Sequence, residues 1–384
     1  MSLRKDLPAI FEDFSEARRN GFMAAKEFKE QNRPMVGMFC TFMPQEISMS
    51  IGAATVSLCA TSDETIGAAE KVLPRNLCPL IKSSYGFGKT DKCPFFYFSD
   101  LVVGETTCDG KRKMFELMGE FKPVHVMQLP HNSEQKYARE MWKDEIIKFK
   151  ETIENQFNAE ITDENIKDAI ALKNRERKAL NGFYSLGKLN PSAVTGLDIL
   201  KVLYGTTFKF EKEDTIKELE SLTAQILSEY EAGKKLEDKP RILVTGCPTG
   251  GVTEKVIKAI EDNGATVVFF ENCMGAKAVE DLVDENNDDV YDALAEKYMQ
   301  IGCSCMSPNR NRFDLLDKAI DEYSVDAVVD VVLQACHTYA IETANIKDFV
   351  NNEKNKPYIS IETDYSTSDI GQLNTRMAAF IEML

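Results

Sequence analysis

Histidine and positive charge are both scarce in this chain. Its 384 residues include only 3 histidines, against 10 cysteines, and 62 acidic side chains outnumber 46 basic ones, for a net charge of -16. That balance repels phosphodiester backbones, and no basic arm or stripe counters it, so nucleic acid is not an expected partner. Long apolar runs are missing as well. No stretch approaches the roughly 18 residues a bilayer span requires. The first residues, MSLRKDLPAIFEDFSEARRN, mix charge into an amphipathic helical pattern and lack the apolar core of a secretory signal. The expected location is therefore the cytoplasm, with no membrane partner. Low-complexity segments, CxxC knuckles and the closely spaced cysteine run of bacterial ferredoxins are also absent.

What is present is a core-forming chain, 43% hydrophobic and long enough for two or three compact units. In a reducing compartment its ten cysteines point to metal or redox chemistry rather than disulfides. Between Arg33 and Pro130, strand-like runs (PMVGMFC, ATVSLC, FFYFSDLVVG, VHVMQL) alternate with helical stretches. From Asn132 to Glu237 the chain is charged and helical in period. From Pro240 the alternation returns with RILVTG, ATVVFF, DAVVDVVLQ and PYISIE. This predicts an α/β protein with two Rossmann-like parallel-sheet domains facing a shared cleft. The expected divisions are 1–131, an N-terminal helix with the first domain; 132–237, a helical insert or cap; and 238–384, the second domain.

The two α/β regions read as copies. Pro34 leads a strand ending in Cys40, and Gly52-Ala53 opens another ending in Cys59; Pro240 leads a strand ending in Cys247, and Gly264-Ala265 opens one ending in Cys273. Asp100 to Cys108 then parallels Asp326 to Cys336, each before a further strand. Cys78 and Cys93 lie between the second and third strands of the first copy, as Cys303 and Cys305 do in the second. Ligands of parallel sheets sit outside the carboxyl ends of the strands, so the strand-end thiols Cys40, Cys59, Cys108, Cys247, Cys273 and Cys336 are expected to converge on one cleft.

Thiolates with few histidines suit zinc, copper(I) or iron–sulfur clusters. Cysteines scattered over most of the chain favour an iron–sulfur group over structural zinc. Other signals are weaker. YGFGKTDK carries the tail of a phosphate-binding loop, but no strand precedes it and a surface loop is expected. TGCPTGG follows a strand and opens a helix, where either a tight turn or an anion site would fit. Glu46 begins a helix beside Cys40 and is a candidate acid or base, and His337 is a candidate proton donor or a helix cap. His125 and His131 carry no argument.

FCTFMPQEI, RNLCPLIKSSYG, TTCDGKRK, RILVTGCP, ENCMGAKA, LQACHTY and IETDYSTSDIGQLNTRMAAFIEML together resemble the 2-hydroxyacyl-CoA dehydratase and benzoyl-CoA reductase superfamily. Within it, the chain looks most like the double-cubane cluster proteins. The resemblance implies that Cys78, Cys108 and Cys336 hold a four-iron cubane between the two domains. In the double-cubane branch, two cubanes bridged by sulfide need six thiolates; Cys273, Cys303 and Cys305 are the nominated remainder, with Cys40 in reserve. Cys59, Cys93 and Cys247 are left as structural or supporting residues.

The resemblance also implies a separate, ATP-hydrolysing iron–sulfur reductase that delivers low-potential electrons. The leading expectation is a homodimeric reductase component acting on a small, hard-to-reduce substrate. Alternatives are a 2-hydroxyacyl-CoA dehydratase subunit with one four-iron cluster, and a non-enzymatic cluster or zinc protein.

Overall fold

The structure, a computed structural model, describes residues 7–12, 16–247, 251–273 and 275–384. Eight strands form two four-stranded sheets: β1 (Met35–Met38), β2 (Ala54–Ser57), β3 (Leu101–Glu105) and β4 (Val124–Met127), then β5 (Arg241–Gly246), β6 (Thr266–Phe270), β7 (Ala327–Leu333) and β8 (Tyr358–Thr363). Both sheets are wholly parallel, and their orders, β2-β1-β3-β4 and β6-β5-β7-β8, are the same. The α/β architecture read from the sequence is therefore the one observed. Strands such as β7, buried along its whole length, are written as Val-rich runs because helices cover both sheet faces.

The duplication extends to atomic detail. Asp100 accepts a hydrogen bond from the Met35 N–H at 2.9 Å, and Asp326 accepts one from the Arg241 N–H at 2.8 Å, each pinning the start of a central strand. Gly52 (φ +71°) and Gly264 (φ +98°) both take the left-handed turn that leads into the second strand.

The helical segment between the sheets packs on both of them. Helix Lys136–Phe157 lies against β4 and buries Trp142 completely, whereas helix Gly196–Thr206 packs on β6 and on helix Gly251–Asp262. Threonine capping boxes at Thr162 and Thr195 start helices Asp163–Tyr184 and Gly196–Thr206. The two halves also exchange an element. Helix Val290–Met299, although late in sequence, packs on helix Lys136–Phe157 and shares a core with Val36 and Val103 of the first sheet. That crossing places the next loop, with Cys303 and Cys305, between the two halves.

Two local expectations are corrected. FFYFSDLVVG is not one strand: Pro94–Phe98 is a short helix, started by Pro94 and capped by Cys93 Sγ, which accepts the Phe96 N–H at 3.4 Å. YGFGK is not a surface loop but the buried end of helix Pro79–Lys89. A side chain at Gly86 would lie 2.4 Å from the Thr65 carbonyl, so glycine here serves close packing rather than phosphate binding. Of TGCPTGG, residues 248–250 lie outside the described residues, as does part of the N-terminal amphipathic stretch, whose described portion includes helix Ala17–Glu30. Among the described residues, no helix is long and apolar enough to cross a membrane.

Candidate metal centre

A cavity of about 370 Å³ opens at the carboxyl ends of the strands, and seven thiols line it: Cys40, Cys78, Cys108, Cys273, Cys303, Cys305 and Cys336. Three of them occupy the same kind of position. Cys78, Cys108 and Cys336 are the N-cap residues of helices Pro79–Lys89, Asp109–Met118 and His337–Asp348. A helix N-terminus carries partial positive charge and favours a thiolate. Just before Cys336, Ala335 sits in the left-handed region (φ +58°), which costs a non-glycine residue energy and turns the chain from β7 into its helix. Cys40 and Cys273 follow β1 and β6. Cys303 and Cys305 come from the crossing loop, which is tied down by the Ser307 N–H to the His131 carbonyl (2.7 Å) and by Ser304 Oγ to Thr338 Oγ1 (2.9 Å).

The thiols meet across the two halves. Cys40 neighbours Cys273 and Cys78 neighbours Cys336, while Cys303 and Cys305 neighbour each other within the crossing loop. Each pairing separates its partners: Cys336, beside Cys247 and Cys78, is pushed toward thiolate, while Cys78, beside Cys336 and buried, is pushed up. Two buried lysines face this set. Lys111 donates to the Phe39 carbonyl at 2.9 Å; burial opposes its charge, but Cys40, Cys59, Cys108 and Glu105 more than offset that and hold it protonated. Lys277 is 2.8 Å from Glu271, and burial is likewise outweighed, by Glu271, Cys273 and Cys303. Neither lysine was singled out from the sequence, although each follows a cysteine by three or four positions.

The other nominated residues fall differently. His337 lines the cavity and is exposed at its mouth. His131, which carried no argument in the sequence, lines the same cavity; its Nε2 is 2.7 Å from the Thr106 carbonyl. Glu46 does begin a helix, Gln45–Met49, but its fully buried carboxyl is held by Arg177 at 2.8 Å and Tyr298 Oη at 2.8 Å and is not among the cavity's lining residues. Burial would raise its pKa, yet Arg177, local hydrogen bonds and Tyr298 bring it below the usual value. Cys59 donates to the Phe39 carbonyl at 3.0 Å, and Cys247 lies behind Cys336, accepting the Leu333 N–H at 3.3 Å.

Among the described residues, no group of three or more His, Cys, Asp or Glu side chains is gathered tightly enough to hold a single metal ion. The donor chemistry fits a larger group: soft thiols on opposite walls, with buried cations to balance an anionic cluster.

A parallel α/β fold built twice, with a cysteine-lined cavity at its strand ends, defines a class of two-lobed thiolate proteins. The chain belongs to the family described as 2-hydroxyglutaryl-CoA dehydratase, D-component, which it matches over residues 40–384. It is 63% identical to the putative dehydratase subunit YjiM of Escherichia coli (strain K12) over 100% of both chains. It is 24% identical to the (R)-phenyllactyl-CoA dehydratase beta subunit of Clostridium sporogenes over 98% of each chain. A benzoyl-CoA reductase subunit of Thauera aromatica is 21% identical, covering 98% of this chain and 96% of its own.

Proposed function

We propose that this chain is the iron–sulfur subunit of a 2-hydroxyacyl-CoA dehydratase. The observation that carries the reading is one cavity walled by thiols from both halves, and 63% identity to a putative dehydratase subunit supports the reaction class. This replaces the reductase component as the leading reading. Cys78, Cys108 and Cys336 would hold a four-iron cluster, each at a helix N-terminus. Bound there, such a cluster supplies one-electron transfer at low potential.

The remaining roles belong to the chain's own side chains. Lys111 and Lys277 balance thiolate charge, and His131 and His337 stand at the mouth, where an imidazole can pass a proton to or from a substrate hydroxyl. Glu46 holds Arg177 in place rather than touching substrate. Residues 1–131, 132–237 and 238–384 remain the proposed divisions of the chain. The partners are a second dehydratase subunit and an ATP-hydrolysing iron–sulfur activator that delivers the electron.

One observation favours the double-cubane reading as the second choice. A single cubane leaves Cys40, Cys273, Cys303 and Cys305 on the cavity wall without a ligand role, whereas six thiolates would serve two bridged cubanes in a homodimer. The test is an anaerobic assay with activator, ATP and a panel of 2-hydroxyacyl-CoA thioesters. ATP-dependent formation of 2-enoyl-CoA and water, with about four irons per chain, is the expected result. About eight irons per chain, with reduction of a small unsaturated compound and no dehydration, would transfer the assignment to the second reading.

A further inference from the structure

Tyr339 lies in the first turn of helix His337–Asp348, is 4% exposed, and lines the cavity. Its phenol oxygen is 3.1 Å from Lys277 Nζ and 4.0 Å from Cys303 Sγ. An ammonium group has donors and no acceptor, so in the first contact the phenol oxygen must accept. The phenol hydrogen is then free to point elsewhere, and the sulfur of Cys303 is the partner within reach. Lys277 cannot swing away, because Glu271 holds it at 2.8 Å and Glu271 is held in turn by Arg312 at 3.2 Å and Thr245 Oγ1 at 2.5 Å. Both cations also flank the phenol ring, Arg312 at 5.0 Å and Lys277 at 5.7 Å from its centroid, which helps fix the ring.

We propose that Tyr339, oriented by Lys277, donates a hydrogen bond to the sulfur of Cys303 and thereby makes electron entry into the group bound in the cavity easier. Adding an electron increases negative charge on the sulfurs, so a donor aimed at one of them stabilises the reduced form more than the oxidised form. Tyr339 is on this account a positioning residue that acts through sulfur. The inference rests on the six-thiolate form of the iron–sulfur reading above, in which Cys303 is a ligand, and extends it to Tyr339, which is not one.

The test is an EPR-monitored redox titration of anaerobically purified holoprotein, with iron measured on every sample. Wild type is compared with Tyr339→Phe, Lys277→Met and Tyr323→Phe; Tyr323 is a buried tyrosine packed on Phe269, away from the thiols. With iron content unchanged, Tyr339→Phe should lower the reduced-to-oxidised ratio at the wild-type midpoint about tenfold, a shift of about 59 mV to more negative potential for one electron. Lys277→Met should shift it in the same direction, and Tyr323→Phe should not move it. Full iron with a wild-type midpoint in Tyr339→Phe would overturn the proposal and leave the cluster reading standing. Wild-type protein without iron and sulfide would overturn both.

Discussion

Glu105 ends β3 in the first sheet, and Glu271 directly follows β6 in the second; both are fully buried near the thiols. Glu271 has Lys277, Arg312 and Thr245 around it, and although burial opposes ionisation, the two cations hold its pKa below the usual value. Glu105 has no such enclosure. Among the described residues, neither of its oxygens has a hydrogen-bond partner of ordinary geometry, and burial, then Cys40, push its pKa well up despite Lys111. The two lobes thus share strand order but handle buried charge differently, at positions that the duplication does not pair: Glu105 ends the third strand of its sheet, and Glu271 follows the second strand of the other. The second half is a fixed electrostatic frame that aims Tyr339 at Cys303, while the first half keeps an unenclosed carboxyl of raised pKa near Cys40.

Ligand removal should have the largest effect. Cys108→Ala from the first half and Cys336→Ala from the second should each abolish the cluster's absorbance and EPR signal, and Cys93→Ala, a helix cap, should not. Equal loss in all three would erase the distinction between wall and scaffold.

Breaking the frame comes next. Arg312→Ala leaves Glu271 and Glu342 short of a buried partner and should cost about 3–5 kcal/mol in urea unfolding. Glu105→Gln, which breaks no ion pair, should cost nothing measurable at neutral pH and can be read in the same titration. A large loss at Glu105 would show that the halves are electrostatically alike after all.

The pH dependence should then run in opposite directions. Glu271 has a folded pKa below 4.5, so its contribution to stability is present above that pH and lost as pH falls. Glu105 has a folded pKa above 4.5, so its contribution is present below that pH and lost as pH rises. Glu271→Gln should flatten the acid limb of the stability profile and Glu105→Gln the limb above it, as followed by thermal unfolding of the metal-free protein. The smallest effect tests the duplication itself. Gly52→Ala and Gly264→Ala, with open space around both but left-handed backbone, should each cost about 1–2 kcal/mol and by similar amounts.

All eight strands overlap apolar runs visible in the sequence; β3, β5, β6 and β7 do so because strands buried along their whole length leave continuous apolar patterns. The doubled order was legible in the matched Pro, Gly-Ala and Asp positions, since those residues start and turn the strands. YGFGK misled because glycine signals both loops and tight helix packing, and only the neighbouring Thr65 distinguishes them. Of the lining thiols, Cys40, Cys108, Cys273 and Cys336 were legible as strand ends, but Cys59 and Cys247 share that pattern and are not on the cavity wall, and Cys78, Cys303 and Cys305 were nominated through the family resemblance. The electrostatic frame was not legible. Arg312 reaches Glu271 across 41 residues of sequence, and His131 reaches the mouth through a loop contact with Ser307, neither of which leaves a local pattern.

The most direct test of the account is iron and acid-labile sulfide per chain in anaerobically purified protein, measured for wild type and for one wall variant from each half, Cys108→Ala and Cys336→Ala. The account predicts iron with matching sulfide in wild type and loss of both in each single variant, because the two halves hold one group between them. Zinc without sulfide in wild type, or full iron retained in both variants, would contradict it.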